Sequence, residues 1–531
     1  MRIRSAVTND LNRIQYLIRE SFLAMLPHTH ESMRSQMEAN AEKAIQDELV
    51  DDKFTQIFFS KPENHFWVAV NEDDAGTHSL TIFTPVLLLT RLFVVIGCIA
   101  LKRVTCDDCE LVRMAVDPTI RSNGIGSSLV KTLVEFAKKT GNIRISLVTA
   151  NPLAAKFYSK NGFLTHSVKT FPLPIVGGGT VQIEVYTMLF ILGERILENV
   201  AVLGGTHGNE RIGVELTNEW AKSGDPFNCS SIRTRIVQSN SDAIEKNVRY
   251  VDADLNRQFT AAAMDDEGVS TEKEIAVKLN KLLGLKNSIN QRVGADFIID
   301  LHSSTANTGI ALMVSGDQDA IAFRLAKHIQ DMEEYHDVKI TCTEGSKANS
   351  WSIDSISPYG IAVEVGPVMH GLIAYPLLVR TRKLVTEMMQ YLDSANQRLK
   401  ATHAPVESVF GKQIVYCNSL VSTPMMPIDV YQFHSRVLFP SNTEDGKKYA
   451  VHPNVEDWKE LHHQDAAFIS IDGTSELPLV IEESKFDSNT QPFYPLFINE
   501  VAYIPSNVAF NLYKKVKKYV WYSPLKLRFI F

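Results

Sequence analysis

Two apolar runs in the second half of the chain each end beside a histidine, and this pattern constrains the fold most. Asn199–Gly205 is an apolar run that ends in glycines, and Thr206-His-Gly-Asn-Glu210 follows it directly. Asp296–His302 is a second such run, followed by Ser-Ser-Thr. Short apolar runs of this kind indicate strands that are buried on both faces of an α/β sheet. Because open α/β sheets place their sites at the carboxyl ends of strands, we expect these side chains to converge.

We expect the converging side chains to form the ligand set of a catalytic zinc ion. His207, Glu210 and His302 supply two imidazoles and one carboxylate. Three protein ligands leave the fourth position of a tetrahedral zinc open, although another divalent metal also suits this set. Ile361–Pro367 places Glu364 in an apolar strand, where a carboxylate is costly without a partner or a function. We interpret Glu364 as the general base of a hydrolytic reaction.

A polar segment between the two runs predicts an anion site. Arg249-Tyr-Val-Asp-Ala-Asp-Leu-Asn-Arg257 provides two arginines and the amide of Asn256. An arginine fork can bind a carboxylate with two parallel hydrogen bonds. A substrate carboxylate and a developing oxyanion are therefore the expected ligands of this segment.

The first half of the chain has the order strand, glycine-bearing turn and helix. The predicted strand Leu111–Val116 leads into Asp117–Gly126, and a helix follows over Ser127–Lys139. Glycines in the turn let backbone N–H groups approach an anion, and the helix N-terminus adds a favourable dipole. A phosphate-bearing ligand is therefore expected there.

Charge and cysteine content restrict the partners and the compartment. The chain has 54 Lys+Arg and 61 Asp+Glu, a net charge of −7, which argues against a nucleic-acid partner. Six cysteines in 531 residues do not indicate a disulfide framework, and the first residues contain no apolar signal core. We therefore expect a cytoplasmic protein. Ser79–Leu101 is strongly apolar, with Arg91 as its only charge, so peripheral or integral membrane contact stays open.

The second half resembles the aspartoacylase/aminoacylase-three family of zinc amidohydrolases, which is related to zinc carboxypeptidases. The resemblance covers about 196–515 and rests on five ordered motifs: Gly204–Glu210, Asp254–Arg257, Asp300–His302, Val363–Pro367 and Phe497–Tyr503. It implies that zinc is bound by His207, Glu210 and His302. It also implies a catalytic carboxylate at Glu364, a carbonyl-stabilising cation at Arg249, and a substrate carboxylate held by Asn256, Arg257 and Tyr503.

One position departs from the aspartoacylase pattern. Aspartoacylases carry an Arg ten residues before the catalytic Glu, and this chain has Asp354 there, as the aminoacylase-three branch does. An Asp at this place should repel a second substrate carboxylate. We therefore expect N-acetylated aromatic or other neutral amino acids as substrates, with N-acetylaspartate as the alternative.

The first half resembles the GNAT acetyltransferase family, and its camello-type members in particular, over about 1–190. The motifs are Arg121-x-x-Gly124-x-Gly126 and Asn151…Ala155…Tyr158…Gly162-Phe163. The resemblance implies an acetyl-CoA site formed by Val116, Arg121, Asn123, Gly124, Ile125, Gly126 and Asn151. It also places Tyr158 near the CoA sulfur, as a general acid.

These interpretations together predict an α/β multidomain protein. Residues 1–190 would form a GNAT α/β fold with an apolar insertion at about 75–95. Residues 196–405 would form a zinc-carboxypeptidase-like α/β/α domain with a mixed sheet, and 406–531 a small β-rich domain. The predicted partners are N-acyl amino acids and acetyl-CoA, and a homo-oligomer stays open.

The predicted function is zinc-dependent hydrolysis of N-acyl-L-amino acids beside an acetyltransferase-like domain. Three interpretations of the fusion stay open: a bifunctional enzyme, a hydrolase with a non-catalytic acyl-CoA-binding module, or two proteins joined in one sequence. A membrane-anchored binding protein without turnover is the remaining alternative, and it rests on Ser79–Leu101 alone.

Overall fold

The protein is described here by a computed structural model that forms two compact units. One comprises Met1–Arg195 and His403–Ser422, and the other Ile196–Thr402 and Thr423–Phe531. The predicted boundaries near 190 and 405 stay predictions. The described residues are 1–23, 42, 43, 45–58, 60, 64–71, 94–104, 108–120, 123–140, 142–174, 180–224, 226–265, 269–284, 294–316, 319–343, 350–402, 406, 407, 413–416, 425–441, 443, 445–480 and 492–521.

The described part of the first unit contains a seven-stranded sheet with helices on both faces. Its strands are β1 (Arg2–Ser5), β2 (His65–Asn71), β3 (Val94–Arg103), β4 (Asp108–Val116), β5 (Arg144–Thr149), β6 (Leu164–Pro174) and β7 (Thr180–Ile191). The order is β1-β2-β3-β4-β5-β7-β6, and only β4 and β5 are parallel neighbours. The helices are α1 (Leu11–Leu23), α2 (Asp51–Phe58), α3 (Ile125–Lys139) and α4 (Pro152–Lys160). β8 (Gly193–Arg195) follows the sheet in the chain.

Continuous burial along the central strands, as in β3, shows that this sheet has two apolar faces. One face packs under α1 and α2 through a core that includes Leu17, Phe54 and Phe66. The other face packs under α3 and α4 through a core that includes Leu129 and Phe163. A strand can bury both faces in this way because its side chains alternate between them.

The apolar stretch Ser79–Leu101 is described only in part. Val94–Leu101 lies in β3, whereas 79–93, which include Arg91, lie outside the described residues. No helix in the described part of the chain has the length and apolar character needed to cross a membrane.

The second unit is built on a mixed sheet of nine described strands. Its first strands are β9 (Asn199–Gly204), β10 (Arg233–Gln238), β11 (Phe297–Ser303), β12 (Gly309–Val314), β13 (Lys339–Cys342) and β14 (Tyr359–Gly366). The helices are α5 (Arg211–Ser223), α6 (Ser241–Lys246), α7 (Ala261–Asp265), α8 (Thr271–Leu283), α9 (Ala320–Gln330) and α10 (Tyr375–Thr402).

The later strands extend this sheet and form smaller ones. In the first unit, β15 (Val406–Glu407) pairs with β16 (Gln413–Tyr416), and β16 pairs with β8. The remaining strands are β17 (Met425–Leu438), β18 (Tyr449–Val451), β19 (Ala466–Ser470), β20 (Glu476–Pro478), β21 (Phe493–Leu496) and β22 (Val508–Trp521). The large sheet has the order β10-β9-β11-β14-β12-β13-β17-β22-β21, and β18, β19 and β20 form a separate sheet. The β-rich C-terminal strands thus continue the sheet that begins with the predicted metal-binding strands.

The sheet order brings the predicted site residues to one edge. β9, β11 and β14 are parallel neighbours, so their carboxyl ends lie side by side. The register of β11 and β14 pairs His302 with Glu364. β12 runs antiparallel to β14 and makes the sheet mixed, as predicted.

Candidate metal centre and substrate cavity

The chain turns sharply after β9, and two glycines allow the turn. Gly205 has a φ of +72°, and a Cβ there would lie 2.3 Å from Ile244 Cδ1. A Cβ on Gly208 would lie 2.1 Å from the carbonyl carbon of Ala243. Glycine fits because it adopts positive φ readily and has no Cβ to collide. The turn brings His207 to the carboxyl edge of the sheet and leads directly into α5.

Two imidazoles and one carboxylate form a buried cluster at this edge. His207 Nδ1 lies 2.6 Å from Glu210 Oε1, and His302 Nδ1 lies 2.9 Å from Glu210 Oε2. One ligand atom from each residue lies within 4.8 Å of the other two. Nitrogen and oxygen atoms at this spacing suit a zinc ion. The structure therefore brings together the three residues that the sequence predicts as ligands.

Each histidine of the cluster has a further carboxylate at its other ring nitrogen. Asp254 Oδ1 lies 3.1 Å from His207 Nε2, and Asp300 Oδ2 lies 2.6 Å from His302 Nε2. A carboxylate in this position fixes the ring and tautomer of a metal-binding histidine. Both aspartates lie in recognised motifs, but the sequence alone assigns them no role. Asp300 offered a signal for such a role, because it is a carboxylate inside a strand whose residues are all buried.

Arg249 lies against this cluster. Its Nη1 donates to Glu210 Oε1 at 3.2 Å, and its Nη2 donates to Asp254 Oδ2 at 3.2 Å. Burial opposes the charged form, but the carboxylates of Glu210 and Asp254 raise the pKa of Arg249 above its ordinary value. A guanidinium charge is therefore held beside the cluster, where a carbonyl oxygen could meet it.

The predicted carboxylate-binding residues line a cavity next to the cluster. The cavity has a volume of about 380 Å³, and its wall includes Asn256, Arg257 and Tyr503. The Arg257 guanidinium lies 5.0 Å from the centre of the Trp351 ring, a cation–π contact that restricts its position. Asn256 Oδ1 accepts a hydrogen bond from the Ile353 N–H at 2.9 Å. Burial raises the pKa of Tyr503, so its hydroxyl keeps the proton that it can donate to an anion.

Glu364 borders the same cavity from β14. Its backbone pairs with His302 on β11, and its side chain lines the cavity. Burial and the nearby charge of Glu210 raise the pKa of Glu364 well above that of an ordinary carboxyl group. A carboxyl group with a raised pKa can accept and return a proton near neutral pH.

Asp354 lies in the 3-10 turn Ile353–Ile356 and also lines the cavity. Its side chain is 1% exposed. Ser315 Oγ donates to Asp354 Oδ1 at 3.1 Å, whereas Oδ2 has no hydrogen-bond partner in the part of the chain that the structure describes. The carboxylate that the sequence places at this position is thus buried in the cavity wall.

Glu272, which the sequence reasoning missed, holds the segment that carries Arg249 and Asn256. Glu272 is fully buried at the start of α8 and accepts three backbone N–H groups, at 2.6 Å from Val251 and at 3.0 Å from each of the next two residues. The Asn240 amide donates to it at 3.1 Å. No sequence pattern signals this role, because a Glu in the first turn of a helix is common for dipole reasons alone.

Glu500, also missed, holds the C-terminal arm Val501–Ser506, the 3-10 helix that carries Tyr503. Its Oε2 accepts from the Thr305 N–H at 2.8 Å, and its Oε1 accepts from the Ala502 N–H at 3.1 Å. Ser304 Oγ donates to it as well. This buried carboxylate ties the C-terminal arm to the turn that follows the His302 strand.

In the first unit, most predicted cofactor residues gather around the N-terminus of α3. β4 ends at Val116, Gly124 has a φ of +75°, and α3 begins with Ile125 and Gly126. Within the described residues, no side chain caps this helix end. An uncapped N-terminus next to a glycine suits a phosphate-bearing ligand. β4 and β5 pair over Asp108–Glu110 alone, so the two parallel strands separate toward this end.

The other predicted residues of the first unit have varied placements. Asn123 directly precedes Gly124, and Arg121 lies outside the described residues. The Asn151 side chain caps α4 by accepting two backbone N–H groups of that helix. Tyr158 donates to Met114 Sδ at 3.5 Å, and burial raises the pKa of its hydroxyl. The cofactor and acid roles of these residues stay predictions.

Three family models match the chain. Residues 196–392 match the succinylglutamate desuccinylase/aspartoacylase catalytic domain, and 426–515 match the AstE/AspA barrel-sandwich hybrid domain. Residues 28–163 match the acetyltransferase (GNAT) family. A human relative, "N-acyl-aromatic-L-amino acid amidohydrolase (carboxylate-forming)", is 30% identical over 317 residues, which are 59% of this chain and 89% of the relative. The chain belongs to the succinylglutamate desuccinylase/aspartoacylase family.

A second relative and a solved structure also match the chain. Aspartoacylase of Mus musculus is 28% identical over 319 residues, 59% of this chain and 91% of the relative. The crystal structure of murine aminoacylase 3 matches with a TM-score of 0.50 and 29% identity, covering 62% of this chain and 98% of that one. The predicted resemblance and fold class are confirmed: a GNAT domain precedes a desuccinylase/aspartoacylase catalytic domain and a β-rich hybrid domain.

Proposed function

We propose that the second unit is a zinc-dependent N-acyl-L-amino acid hydrolase that prefers N-acylated aromatic or other neutral amino acids. The observation that carries this proposal is the cavity, which collects the His–Glu–His cluster, the Glu364 carboxyl group and the half-buried guanidinium groups of Arg249 and Arg257. The names of the relatives, an N-acyl-aromatic-L-amino acid amidohydrolase and an aspartoacylase, support the reaction class.

The three clustered residues would hold the zinc ion through one carboxylate and the Nδ1 atoms of the two histidines. Asp254 and Asp300 occupy the opposite ring nitrogens, which leaves Nδ1 of each histidine facing Glu210. This donor set fits zinc, and the ion, when bound, polarises a carbonyl and lowers the pKa of water.

The chain's own side chains supply the proton transfers and the charge. Glu364 would take a proton from the attacking water and pass it to the leaving amine nitrogen. Arg249 would stabilise the negative charge that develops on the carbonyl oxygen. The products are a carboxylate and a free amino acid.

The substrate carboxylate would be held in the same cavity by Asn256, Arg257 and Tyr503. Arg257 is suited to this role because the Trp351 ring restricts its position and a guanidinium can bind a carboxylate with two hydrogen bonds. Asp354 in the wall disfavours a substrate with a second carboxylate, which supports neutral side chains over aspartate.

N-acetylaspartate is the second candidate substrate. Arg436 favours it, because this exposed arginine of β17 lines the same cavity and could pair with a side-chain carboxylate. The two candidates therefore differ in which charge, Asp354 or Arg436, the substrate side chain approaches.

For the first unit we propose acetyl-CoA binding at the N-terminus of α3. The glycine-bearing turn, the uncapped helix end and the GNAT match support this proposal.

Amino-acid release by the purified full-length chain tests the hydrolase. N-acetyltyrosine and N-acetylaspartate are each assayed with and without a zinc chelator, and zinc is then added back. We expect chelator-sensitive release that is faster with N-acetyltyrosine. Glu364→Gln should lower kcat by about 100- to 10,000-fold, which is the usual contribution of a general base to the rate. The zinc content should be unchanged.

Glu333→Gln is the matched control, because this carboxylate is exposed and does not line the cavity. Chelator-insensitive release, or equal activity of the two variants, contradicts the hydrolase proposal. Faster release from N-acetylaspartate keeps the reaction and overturns the neutral-substrate preference.

A further inference from the structure

The turn that carries Asp354 lies beside the proposed site for the substrate carboxylate. Asn256, one of the three proposed carboxylate ligands, accepts the Ile353 N–H at 2.9 Å. The side chain of an amino acid branches from the carbon next to its carboxylate. A substrate held at Asn256 would therefore extend its side chain along the wall that contains Asp354.

The cavity wall combines apolar side chains with a polar cluster at Asp354. Apolar side chains that line the cavity are Met313, Cys342, Trp351 and Phe433. Hydroxyl groups gather around Asp354: Ser315 Oγ lies 2.8 Å from Ser352 Oγ and donates to Asp354 Oδ1 at 3.1 Å.

The second carboxylate oxygen of Asp354 is the unusual feature of this wall. Oδ2 is buried and has no hydrogen-bond partner among the described residues, whereas Oδ1 is satisfied by Ser315. A buried acceptor without a donor is costly, and most such atoms in proteins are paired. A donor carried by the substrate would satisfy it.

We propose that Asp354 selects N-acyl amino acids whose side chain joins an apolar body to a hydrogen-bond donor, such as a hydroxyl or an amino group. The inference rests on the proposed hydrolase function and narrows its substrate class. The apolar wall takes the body of the side chain, and Asp354 Oδ2 accepts the donor. A purely apolar side chain of the same size leaves the oxygen unpaired and binds less well.

Two substrate pairs isolate the donor from the rest of the side chain. N-acetyltyrosine and N-acetylphenylalanine differ by a neutral hydroxyl, and Nα-acetyllysine and N-acetylnorleucine differ by a charged amino group. In the zinc-loaded full chain, at least one pair should show a kcat/KM ratio of about tenfold or more in favour of the donor. This is the scale of a hydrogen bond to a charged group.

Asp354→Asn tests the assigned oxygen. Because Ser315 donates to Oδ1, the amide NH₂ should occupy the position of Oδ2 and replace an acceptor by a donor. The ratio should then collapse toward one. Both members of a pair are measured on one preparation, so a loss of folded enzyme lowers both rates equally and leaves the ratio unchanged.

Asp393→Asn is the matched control. Asp393, in α10, is also buried, but its carboxylate accepts the Ser231 N–H and does not line the cavity. Its ratio should equal that of the wild type. If Asp354→Asn does not fold, Ser315→Ala serves instead: it frees Oδ1 from its donor and leaves Oδ2 unchanged, so the preference for the donor-bearing substrate should persist, and a ratio that falls to one would overturn the inference. Ratios near one in both wild-type pairs, or a ratio that survives Asp354→Asn, overturn the inference while leaving the hydrolase intact. No release from any of the four substrates overturns the proposed function and this inference with it.

Discussion

Replacing Glu272 by Gln should destabilise the second unit through the loss of two hydrogen bonds. Oε1 accepts from the Val251 N–H at 2.6 Å and the Asn240 amide at 3.1 Å, and Oε2 accepts from the N–H groups of Asp252 and Ala253 at 3.0 Å each. Gln keeps one oxygen, so two donors would face an NH₂ group instead. A buried donor without an acceptor costs about 1–3 kcal/mol, so the variant should lose about 2–6 kcal/mol.

The same substitution should weaken catalysis although Glu272 lies outside the cavity wall. The segment that it holds continues into Arg249 on one side and Asn256 and Arg257 on the other. A displacement of about 1 Å in positioning residues can cost about 100-fold in rate. We therefore expect kcat/KM for N-acetyltyrosine to fall by about 10- to 100-fold.

Urea unfolding monitored by tryptophan fluorescence, with acylase activity measured in the same samples, checks both effects. Glu274→Gln is the control, because Glu274 lies on the exposed side of the same helix turn and its ion pair with Lys278 spans 3.8 Å. If Glu272→Gln unfolds at the same urea concentration as the control and keeps the same kcat/KM, the hydrogen-bond reasoning is wrong.

The remaining predictions concern the metal, the first unit and pH. His302→Ala should lower the zinc content per chain, measured by elemental analysis, while CoA binding by the first unit is retained. Gly124→Val should weaken CoA binding in calorimetry, since φ +75° costs a β-branched residue about 1–3 kcal/mol, and it should leave acylase activity unchanged. Hydrogen bonds from Asn240 and three backbone N–H groups outweigh burial and hold the pKa of Glu272 below its ordinary value. Its contribution is therefore complete above about pH 4.3 and is lost as pH falls through the lower folded pKa, so wild-type stability should decline more steeply with acid than that of Glu272→Gln.

Much of the site follows from local sequence. A buried strand followed by His207 and Glu210, and a second strand that contains His302, are patterns within a few residues. The rule for carboxyl ends of parallel strands then brings them to one edge, as the β9-β11-β14 order shows. Glu364 was identifiable for a similar reason, because a carboxylate in an apolar strand is costly without a function.

The supporting carboxylates are not evident from sequence. Glu272 reaches backbone groups of a loop that precedes its helix, and Glu500 reaches Thr305, which lies 195 positions earlier. Asp254 and Asp300 appear in motifs, but only the folded chain shows that each contacts the far nitrogen of a histidine.

The sequence by itself determined the residue types, their strands and the family, because these depend on periodicity and on neighbours along the chain. The tertiary structure decided the pairing of His302 with Glu364, the continuation of one sheet through β13 into β17, and the unpaired oxygen of Asp354. These features depend on strand register and on side-chain packing between distant segments. Hydrogen-bond geometry over a few ångströms is set by that packing, and a linear pattern of residues does not contain it.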